Sequence, residues 1–216
     1  TLDPNTGTSG SVTQVKPIFD SAMPPLTGQG ELPTKSGYTF QGYFDAESGG
    51  TKYYNADGTS ARTWNKPDNA TLFAQWTANQ YTVALDPNTG TAGSVTQVKP
   101  TFDSAMPAIT GQGSLPSKTG YTFQGYFDET SGGTKYYNAD GSSATSWDKP
   151  NNATLFAQWI ANDYTVTLNP NTGSAGSTTQ VTATFDSAMP TIYGEDSLPT
   201  KTGYNLQGCY VTTSGG

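Results

Sequence analysis

The nine residues Gly-Tyr-Thr-Phe-Gln-Gly-Tyr-Phe-Asp occupy positions 37–45 and recur unchanged at positions 120–128. A variant, Gly-Tyr-Asn-Leu-Gln-Gly-Cys-Tyr-Val, occupies positions 203–211. Aromatic and polar side chains alternate along the stretch, which is typical of a β-strand with one buried face. The stretch therefore predicts a half-buried strand that is used once in each of several similar units.

The faces of this strand follow from its period of two residues. In the second copy we predict that Tyr121, Phe123 and Phe127 share one face and that Tyr126 lies on the other. Gly125 interrupts the alternation, and a glycine inside a strand indicates a β-bulge or a close approach of another backbone.

The surrounding sequence repeats with the same spacing. Residues 2–84 and 85–167 differ at 17 of 83 positions, and the register between them never slips. The third copy begins at Leu168 and extends only to Gly216. We predict three units, at residues 1–77, 78–160 and 161–216, with the third partial and divergent.

Composition favours strands and turns over helices. The 216 residues include 25 Gly and 14 Pro, and the net charge is -7 with only ten Lys and Arg. This mixture predicts a mainly β fold with little helix. The scarcity of basic residues argues against nucleic-acid binding, and the absence of a long apolar run argues against membrane insertion.

Within the second unit, the alternating segments 81–85 and 94–98 flank the turn sequence Asp-Pro-Asn-Thr-Gly and predict a hairpin. Residues 102–106 are predicted to form a helical turn, which Pro107 ends. Only residues 77–80 separate Trp76 from the next unit. A connection this short restricts neighbouring units, so we expect the units to form a rod.

The combination of Tyr81 to Gly90, the aromatic strand at 120–128 and Thr154 to Trp159 resembles the Listeria-Bacteroides repeat of bacterial surface proteins, including the B-repeat region of internalins. This resemblance implies a compact β-grasp-like module, repeated in tandem within adhesins at the bacterial cell surface. Neighbouring repeats would then be its immediate partners, and a host or environmental glycan or protein would be bound through another domain.

Tyrosine and tryptophan side chains raise the hypothesis of a sugar-binding platform, because their flat faces can stack on glycans. Equally, aromatic side chains of this size fill cores and interdomain contacts. The candidate residues are Tyr43, Tyr53, Tyr54 and Trp64, with Tyr126, Tyr136, Tyr137 and Trp147 in the second unit.

A calcium site is a weaker candidate. Asp86 and Asn88 place oxygen atoms at alternate positions before Gly90, as calcium loops do. The same spacing describes an ordinary turn, no bidentate Glu follows at the twelfth position, and the third copy has Asn169 in place of the Asp. The sequence thus predicts no cofactor and no dedicated metal site.

The sequence contains few residues of the types that catalysis commonly uses. The chain has no histidine, which removes the commonest general base. Carboxylates such as Asp45, Glu47 and Asp57 could form a pair, but the later copies do not keep them all in register. Cys209 has no adjacent cation to activate it. We expect a protein that is not an enzyme.

The motif Leu-Pro-x-Lys-x-Gly occurs three times, at residues 32–37, 115–120 and 198–203. Its proline predicts a turn into the aromatic strand. Lys35, Lys118 and Lys201 could alternatively form amide cross-links with Asn or Asp, which requires a buried apolar pocket.

Together these features predict a non-catalytic extracellular stalk or spacer of a bacterial surface adhesin. A multivalent glycan-binding module is the alternative from a different functional class. A more remote alternative is a fibre subunit in which another chain donates the strand that the partial third unit lacks.

Overall fold

The computed structural model describes residues 1–194 and 197–211, and these residues contain eleven β-strands and no α-helix. The mainly β prediction is confirmed. The strands are β1 (Leu2–Asp3), β2 (Tyr38–Phe44), β3 (Lys52–Tyr54), β4 (Leu72–Ala78), β5 (Val83–Asp86), β6 (Gln97–Val98), β7 (Tyr121–Phe127), β8 (Lys135–Tyr137), β9 (Ala153–Ala161), β10 (Asp163–Thr167) and β11 (Gln180–Thr184).

Each of the first two repeats forms its own sheet. The first has the strand order β1-β4-β2-β3 and the second β6-β5-β9-β7-β8. In both, the last strand of the repeat lies inside the sheet, parallel to the first strand and antiparallel to the aromatic strand. The β-grasp-like arrangement that the resemblance implies stays a prediction, since no α-helix crosses either sheet in the described residues.

The aromatic strand β7 contains the predicted bulge. Phe123 pairs with Trp159 and Gly125 pairs with Gln158, so one extra residue lies between the two pairs. Gly125 has φ +128°, and a Cβ there would overlap the carbonyl oxygen of Tyr137. Glycine is therefore required by both conformation and space.

The bulge changes which side chains face the core. Phe123 and Tyr126 are both buried, and their ring centroids lie 5.2 Å apart in an edge-to-face arrangement. The prediction that Tyr126 lies on the face opposite Phe123 is wrong, because the extra residue shifts the alternation by one position. The first repeat has the same arrangement at Phe40, Gly42 and Tyr43.

The Asp-Pro-Asn-Thr-Gly turn connects several parts of the second repeat. The Asp86 carboxylate accepts a 2.7 Å hydrogen bond from the Asn88 N–H, and the Asn88 side chain donates to the carbonyls of Thr130 and Ala157. Asn88 has φ +45°, a conformation that asparagine tolerates well. The turn interpretation thus accounts for both oxygen-bearing residues of the calcium hypothesis.

The segment 102–106 does not form the predicted helical turn. Asp103 has φ +57°, which is left-handed, and its N–H donates to the carbonyl of Trp147. The segment makes a tight turn that is fixed by contacts across the repeat rather than by local helix propensity.

The third repeat is only partly formed. Its first strands, β10 and β11, pair as an antiparallel hairpin. Residues 203–211, the third copy of the aromatic sequence, form no strand, and Tyr204, Leu206 and Tyr210 are exposed. The sequence up to Gly216 does not include a counterpart of β9, the strand with which β7 pairs in the second repeat.

Candidate functional site

The eight aromatic residues proposed for sugar stacking lie in the cores of the two sheets. Their exposed fractions are 8% for Trp64 and at most 1% for the others. The expectation that they present exposed faces is wrong. These residues are Tyr43, Tyr53, Tyr54, Trp64, Tyr126, Tyr136, Tyr137 and Trp147.

Internal hydrogen bonds make this burial possible for the tyrosines. The hydroxyl of Tyr53 donates to the side chain of Asn65, and that of Tyr54 donates to the carbonyl of Pro24. Burial raises the pKa of the Tyr54 phenol to about 12. A buried phenol with a hydrogen-bond partner behaves as a core residue with one satisfied polar atom.

A different set of residues forms the contact between repeats, which we call the joint. It consists of Gly37, Tyr38 and Thr39 from the first repeat, Asn79 in the linker, and Phe102 and Asp103 from the second. Asn79 lies at its centre: its N–H donates to the carbonyl of Gly37 and its carbonyl accepts from the N–H of Phe102, both at 2.9 Å. The linker residue is thereby hydrogen-bonded to both repeats.

The side chain of Asn79 makes further bonds in both directions. Its oxygen accepts from the Thr39 hydroxyl at 2.6 Å, and its NH₂ donates to the Tyr81 hydroxyl at 3.4 Å. Four hydrogen bonds therefore restrain a residue that would otherwise be a flexible connection.

An aromatic contact covers this backbone. The ring of Phe102 lies edge-to-face against Tyr38, with centroids 5.5 Å apart. It also lies directly over Gly37, which has φ +78°, and a Cβ at Gly37 would overlap the phenyl ring. The glycine before the aromatic strand therefore provides the space into which the next repeat docks.

A polar contact closes the joint. The Tyr38 hydroxyl donates a 2.7 Å hydrogen bond to the Asp103 carboxylate. This bond, together with partial burial and the negative charge of Asp103, raises the pKa of Tyr38. A phenol that donates to a carboxylate forms a charge-assisted hydrogen bond.

The second joint reproduces the first. The rings of Tyr121 and Phe185 are again 5.5 Å apart, and the Tyr121 hydroxyl donates to Asp186 at 3.0 Å. Asn162 donates its N–H to Gly120 and accepts from Phe185, again at 2.9 Å in each case. The hairpin β10–β11 is thus docked on the second repeat by the contacts that join the first repeat to the second.

The Leu-Pro-x-Lys-x-Gly motif contributes its glycine to the joint and places its lysine over the tyrosine of the joint. The Lys35 ammonium lies 4.2 Å from the centre of the Tyr38 ring and donates to the Thr6 hydroxyl at 2.8 Å. Lys118 and Lys201 donate to the equivalent threonines, Thr89 and Thr172. The ammonium groups therefore lie over tyrosine rings and beside hydroxyl groups at the surface.

A shallow cleft of about 220 Å³ lies beside each joint. In the second repeat its lining includes the partly exposed Tyr121 and Trp159, with Lys118, Gln158 and Ser131 around them. The matching cleft of the first repeat includes Tyr38, Trp76, Lys35, Gln75 and Ser48. One tyrosine in each repeat therefore belongs to both the cleft and the joint.

The other candidate chemistry is dispersed over the surface. Asp45 accepts from the Thr51 N–H and pairs with Lys66 at 3.0 Å, and these contacts lower the pKa of Asp45. Cys209 is exposed. Within residues 1–194 and 197–211, the structure gathers no group of three carboxylate or thiol side chains that could hold a metal ion.

These features define a tandem array of β-sheet modules that are linked by a recurring joint. The family model of the Listeria-Bacteroides repeat domain matches residues 5–75 and 81–158. The chain belongs to this family, as the resemblance in the sequence indicated.

Three curated relatives are similar to the chain. Internalin H of Listeria monocytogenes is 39% identical over 140 residues, covering 64% of this chain and 21% of the relative. A putative Gly-rich membrane protein of Evansella cellulosilytica is 30% identical over 186 residues, covering 86% of this chain and 20% of the relative. A putative membrane protein of the same organism is 26% identical over 196 residues, covering 88% and 25%.

The chain spans about a fifth to a quarter of the length of these relatives. Among the described residues, we find no helix that could span a membrane.

Proposed function

We propose that the chain is a stalk or spacer of a bacterial surface adhesin, in which repeats hold a distal binding domain away from the envelope. The observation that carries this proposal is the recurrence of one joint, with the same residues and closely similar distances, at both repeat boundaries. A joint that is repeated in this way gives every pair of neighbours the same relative placement. Repeating one placement generates a regular array, and within this proposal that array is an extended rod.

The contacts of the joint restrict bending between neighbouring repeats. Asn79 is hydrogen-bonded to both neighbours, and Phe102 occupies space that only a glycine leaves open. Bending at Asn79 would break hydrogen bonds and expose the Phe102 ring, each of which carries a free-energy cost. This is the mechanical property that a spacer needs.

The names of the relatives support a location at the cell surface. One relative is named an internalin and two are named membrane proteins, and each is several times longer than this chain. We therefore place the array outside the cell, with ligand binding assigned to other domains of a longer protein. Within this proposal the repeats are structural, and no enzymatic step is assigned to them.

Spin labels at equivalent exposed positions of the two repeats test the proposal. We would introduce Arg62→Cys and Thr145→Cys in a Cys209→Ser background and measure the distance distribution between the labels. A fixed joint gives one narrow distribution. The pair Phe102→Ala and Asp103→Ala should broaden it, and scattering should show a less extended chain.

The matched control is Phe19→Ala with Asp20→Ala. These residues occupy the same positions in the first repeat but contact no preceding repeat in the structure described here. The distribution should remain narrow in this variant. A broad distribution in the unmodified chain would refute the stalk proposal.

The repeated cleft favours glycan binding as a second candidate function. A partly exposed tryptophan and tyrosine lie next to amide, ammonium and hydroxyl groups, which is the chemistry that sugars require. Two such clefts on one chain would add avidity. This candidate transfers the sugar hypothesis from the buried aromatic residues to Tyr38, Trp76, Tyr121 and Trp159.

Filling the clefts tests this candidate without touching the core. Ser48→Tyr and Ser131→Tyr introduce bulk at exposed positions on the cleft walls. Binding on a glycan array should be lost in this double variant and retained in Thr145→Tyr, an exposed position where the first repeat already has Arg62. Absence of binding by the unmodified chain would eliminate the candidate and leave the stalk proposal standing.

A further inference from the structure

The first repeat carries one half of a joint that no other part of the described chain covers. Phe19 and Asp20 are the counterparts of Phe102 and Asp103, yet the Phe19 side chain is 57% exposed. Its neighbour Ile18 is 73% exposed. Phe102 and Phe185, by contrast, are each partly buried against the tyrosine of the preceding repeat.

This half-joint is already in its docking conformation. Asp20 has φ +54°, compared with +57° at Asp103 and +55° at Asp186. The Ser21 N–H donates to the Ile18 carbonyl at 3.1 Å, the same distance as in the other two copies. The turn therefore has the same shape whether or not a preceding repeat is docked.

The first repeat itself holds the turn in place. The Asp20 N–H donates to the Trp64 carbonyl and the Trp64 N–H donates to the Ser21 carbonyl, both at 2.8 Å. The second repeat has the same pair of bonds between Asp103, Ser104 and Trp147. A surface that is ordered before binding loses little conformational entropy when its partner docks.

The complementary half is present at the other end of the described chain. A Cβ on Gly203 would contact nothing within 4 Å, whereas a phenyl ring covers Gly37 and Gly120. Tyr204 is 71% exposed, and the Lys201 ammonium lies 4.7 Å from its ring centre. The two surfaces that meet in each joint are thus both exposed at opposite ends.

We propose that Ile18, Phe19 and Asp20 form a docking surface for a further Listeria-Bacteroides repeat, placed ahead of the first one and connected by an Asn-containing linker. The phenyl ring of Phe19 would lie over the glycine that precedes the partner's aromatic strand. The Asp20 carboxylate would accept from the partner's tyrosine hydroxyl. The inference rests on the proposed stalk function and specifies the partner at this surface.

Ile18 is the one departure from the other copies. Thr101, its counterpart, accepts a 3.5 Å hydrogen bond from the Gln80 side chain, and Thr184 donates to Asp163. Isoleucine cannot make this bond, but it adds apolar surface at the edge of the same contact. The backbone bonds of the joint do not involve the side chain at this position.

Duplicating residues 2–84 in tandem, directly ahead of Leu2, tests the inference. The duplication re-creates the linker Ala-Asn-Gln-Tyr before the original first repeat. In the original chain the Phe19 N–H should exchange freely, because no hydrogen bond to it is present in the described residues. In the extended chain it should exchange at least about tenfold more slowly, as expected for a newly protected amide.

Phe102 provides an internal reference, since its N–H already donates to Asn79. Protection at Phe102 without protection at Phe19 in the extended chain would overturn this inference alone. Loss of protection at both would overturn the stalk proposal as well. Tyr38→Ala and Gly37→Ala in the added copy should abolish the new protection at Phe19.

Mixing the original chain with a labelled second copy separates docking in one polypeptide from docking between polypeptides. Concentration-dependent protection of Phe19 in that mixture would show that a free copy occupies the surface, which would overturn the requirement for the linker. Unchanged exchange in the mixture, with protection in the extended chain, is the result we expect.

Discussion

The second repeat and the partial third repeat, which we call the third segment, have similar sequences but different structures. In the second repeat, residues 121–127 form strand β7 between β9 and β8. In the third segment, the equivalent residues form no strand and leave Tyr204, Leu206 and Tyr210 exposed. The third copy of the aromatic sequence, which differs from the second at five of nine positions, therefore does not form the strand that its pattern predicts.

One difference concerns the central strand. β9 pairs with β5 on one side and with β7 on the other, so it satisfies the backbone of both neighbours. The third segment has no counterpart of β9 among the described residues, and β10 there pairs only with β11. A strand without a partner cannot satisfy its own backbone groups, whereas a hairpin can do so locally.

The joint behaves differently from the core. It requires only the hairpin β10–β11 and the turn that follows, and Phe185 docks on Tyr121 although the described residues after β11 form no further strand. Docking and core formation are thus separate properties of one repeat.

The largest expected effect comes from supplying the central strand. Appending a copy of residues 134–161 after Gly216 should fold the third segment, because the appended chain contains the counterparts of β8 and β9. The new unit should gain about 5 kcal/mol of unfolding free energy, in the range for a domain of this size. Hydrogen exchange at Tyr204 and Leu206 would report the change.

The control for this extension carries Asp in place of the leucine that corresponds to Leu155, a fully buried residue of β9. The extended chain with this substitution should leave residues 203–211 as unprotected as before. Equal protection in the two versions would show that β9 acts through something other than core pairing.

Glycine at the bulge should be the next most sensitive position. Gly125→Ala places a Cβ against the Tyr137 carbonyl oxygen at φ +128°, and we expect a cost of about 3 kcal/mol or more. Gly208→Ala, at the same place in the third segment, meets its first neighbour at 3.7 Å and should cost about 1 kcal/mol or less. Chemical denaturation measures both, and equal costs would contradict the difference in structure.

High pH should unfold the second repeat through its tyrosines. Burial, aided by the charge of Asp86, raises the pKa of Tyr126 to about 12. The folded repeat therefore retains a proton that the unfolded chain loses near pH 10, so stability falls as pH rises from about 10 toward 12. The third segment has Cys209 in place of this tyrosine.

Phenolate absorbance followed together with the tryptophan fluorescence measures this transition. Ionisation of the buried tyrosines and unfolding should occur together in this range, after the exposed tyrosines have begun to ionise. Ionisation of all the tyrosines with a midpoint near pH 10 in a still-folded chain would show that Tyr126 is not buried as described.

Removing the docked ring should have a smaller effect. Phe185→Ala deletes the contact with Gly120 and Tyr121, and we expect the protection of the Phe185 N–H to fall by about 1–2 kcal/mol. Phe19→Ala removes an exposed ring and should change the stability of the chain by less than about 0.5 kcal/mol. Hydrogen exchange distinguishes the two variants, and equal effects would show that docking of the Phe185 ring does not stabilise the joint.

A conservative change at Trp147 should have a small net effect. Its indole N–H is buried and has no hydrogen-bond partner among the described residues. Trp147→Phe removes this unsatisfied donor while it also removes packing volume, so the two effects oppose each other and the net cost should be about 1 kcal/mol. Trp147→Ala, which leaves the full cavity, should cost about 3–5 kcal/mol. Thermal denaturation compares the two variants.

Local sequence patterns were sufficient for the strands, the repeat period and the bulge at Gly125, because alternation and glycine placement act over a few residues. They were insufficient for the positions of Tyr126 and Trp147, since the bulge reverses the alternation and burial depends on distant partners. The joint was not predicted either, because Tyr38 and Asp103 are 65 residues apart in sequence and form no local pattern. The glycine before each aromatic strand and the Phe-Asp pair that recurs in every copy are the signals that could have indicated it.

The position of Asn79 between Gly37 and Phe102 has a consequence for how such genes change. Unequal crossover between the first two copies inserts or deletes 83 residues when it keeps their alignment. Each boundary in the product again has a Gly-Tyr pair before its asparagine and a Phe-Asp pair after it, wherever the breakpoint falls. Recombination can thus alter the number of units while the chemistry at every boundary is inherited intact.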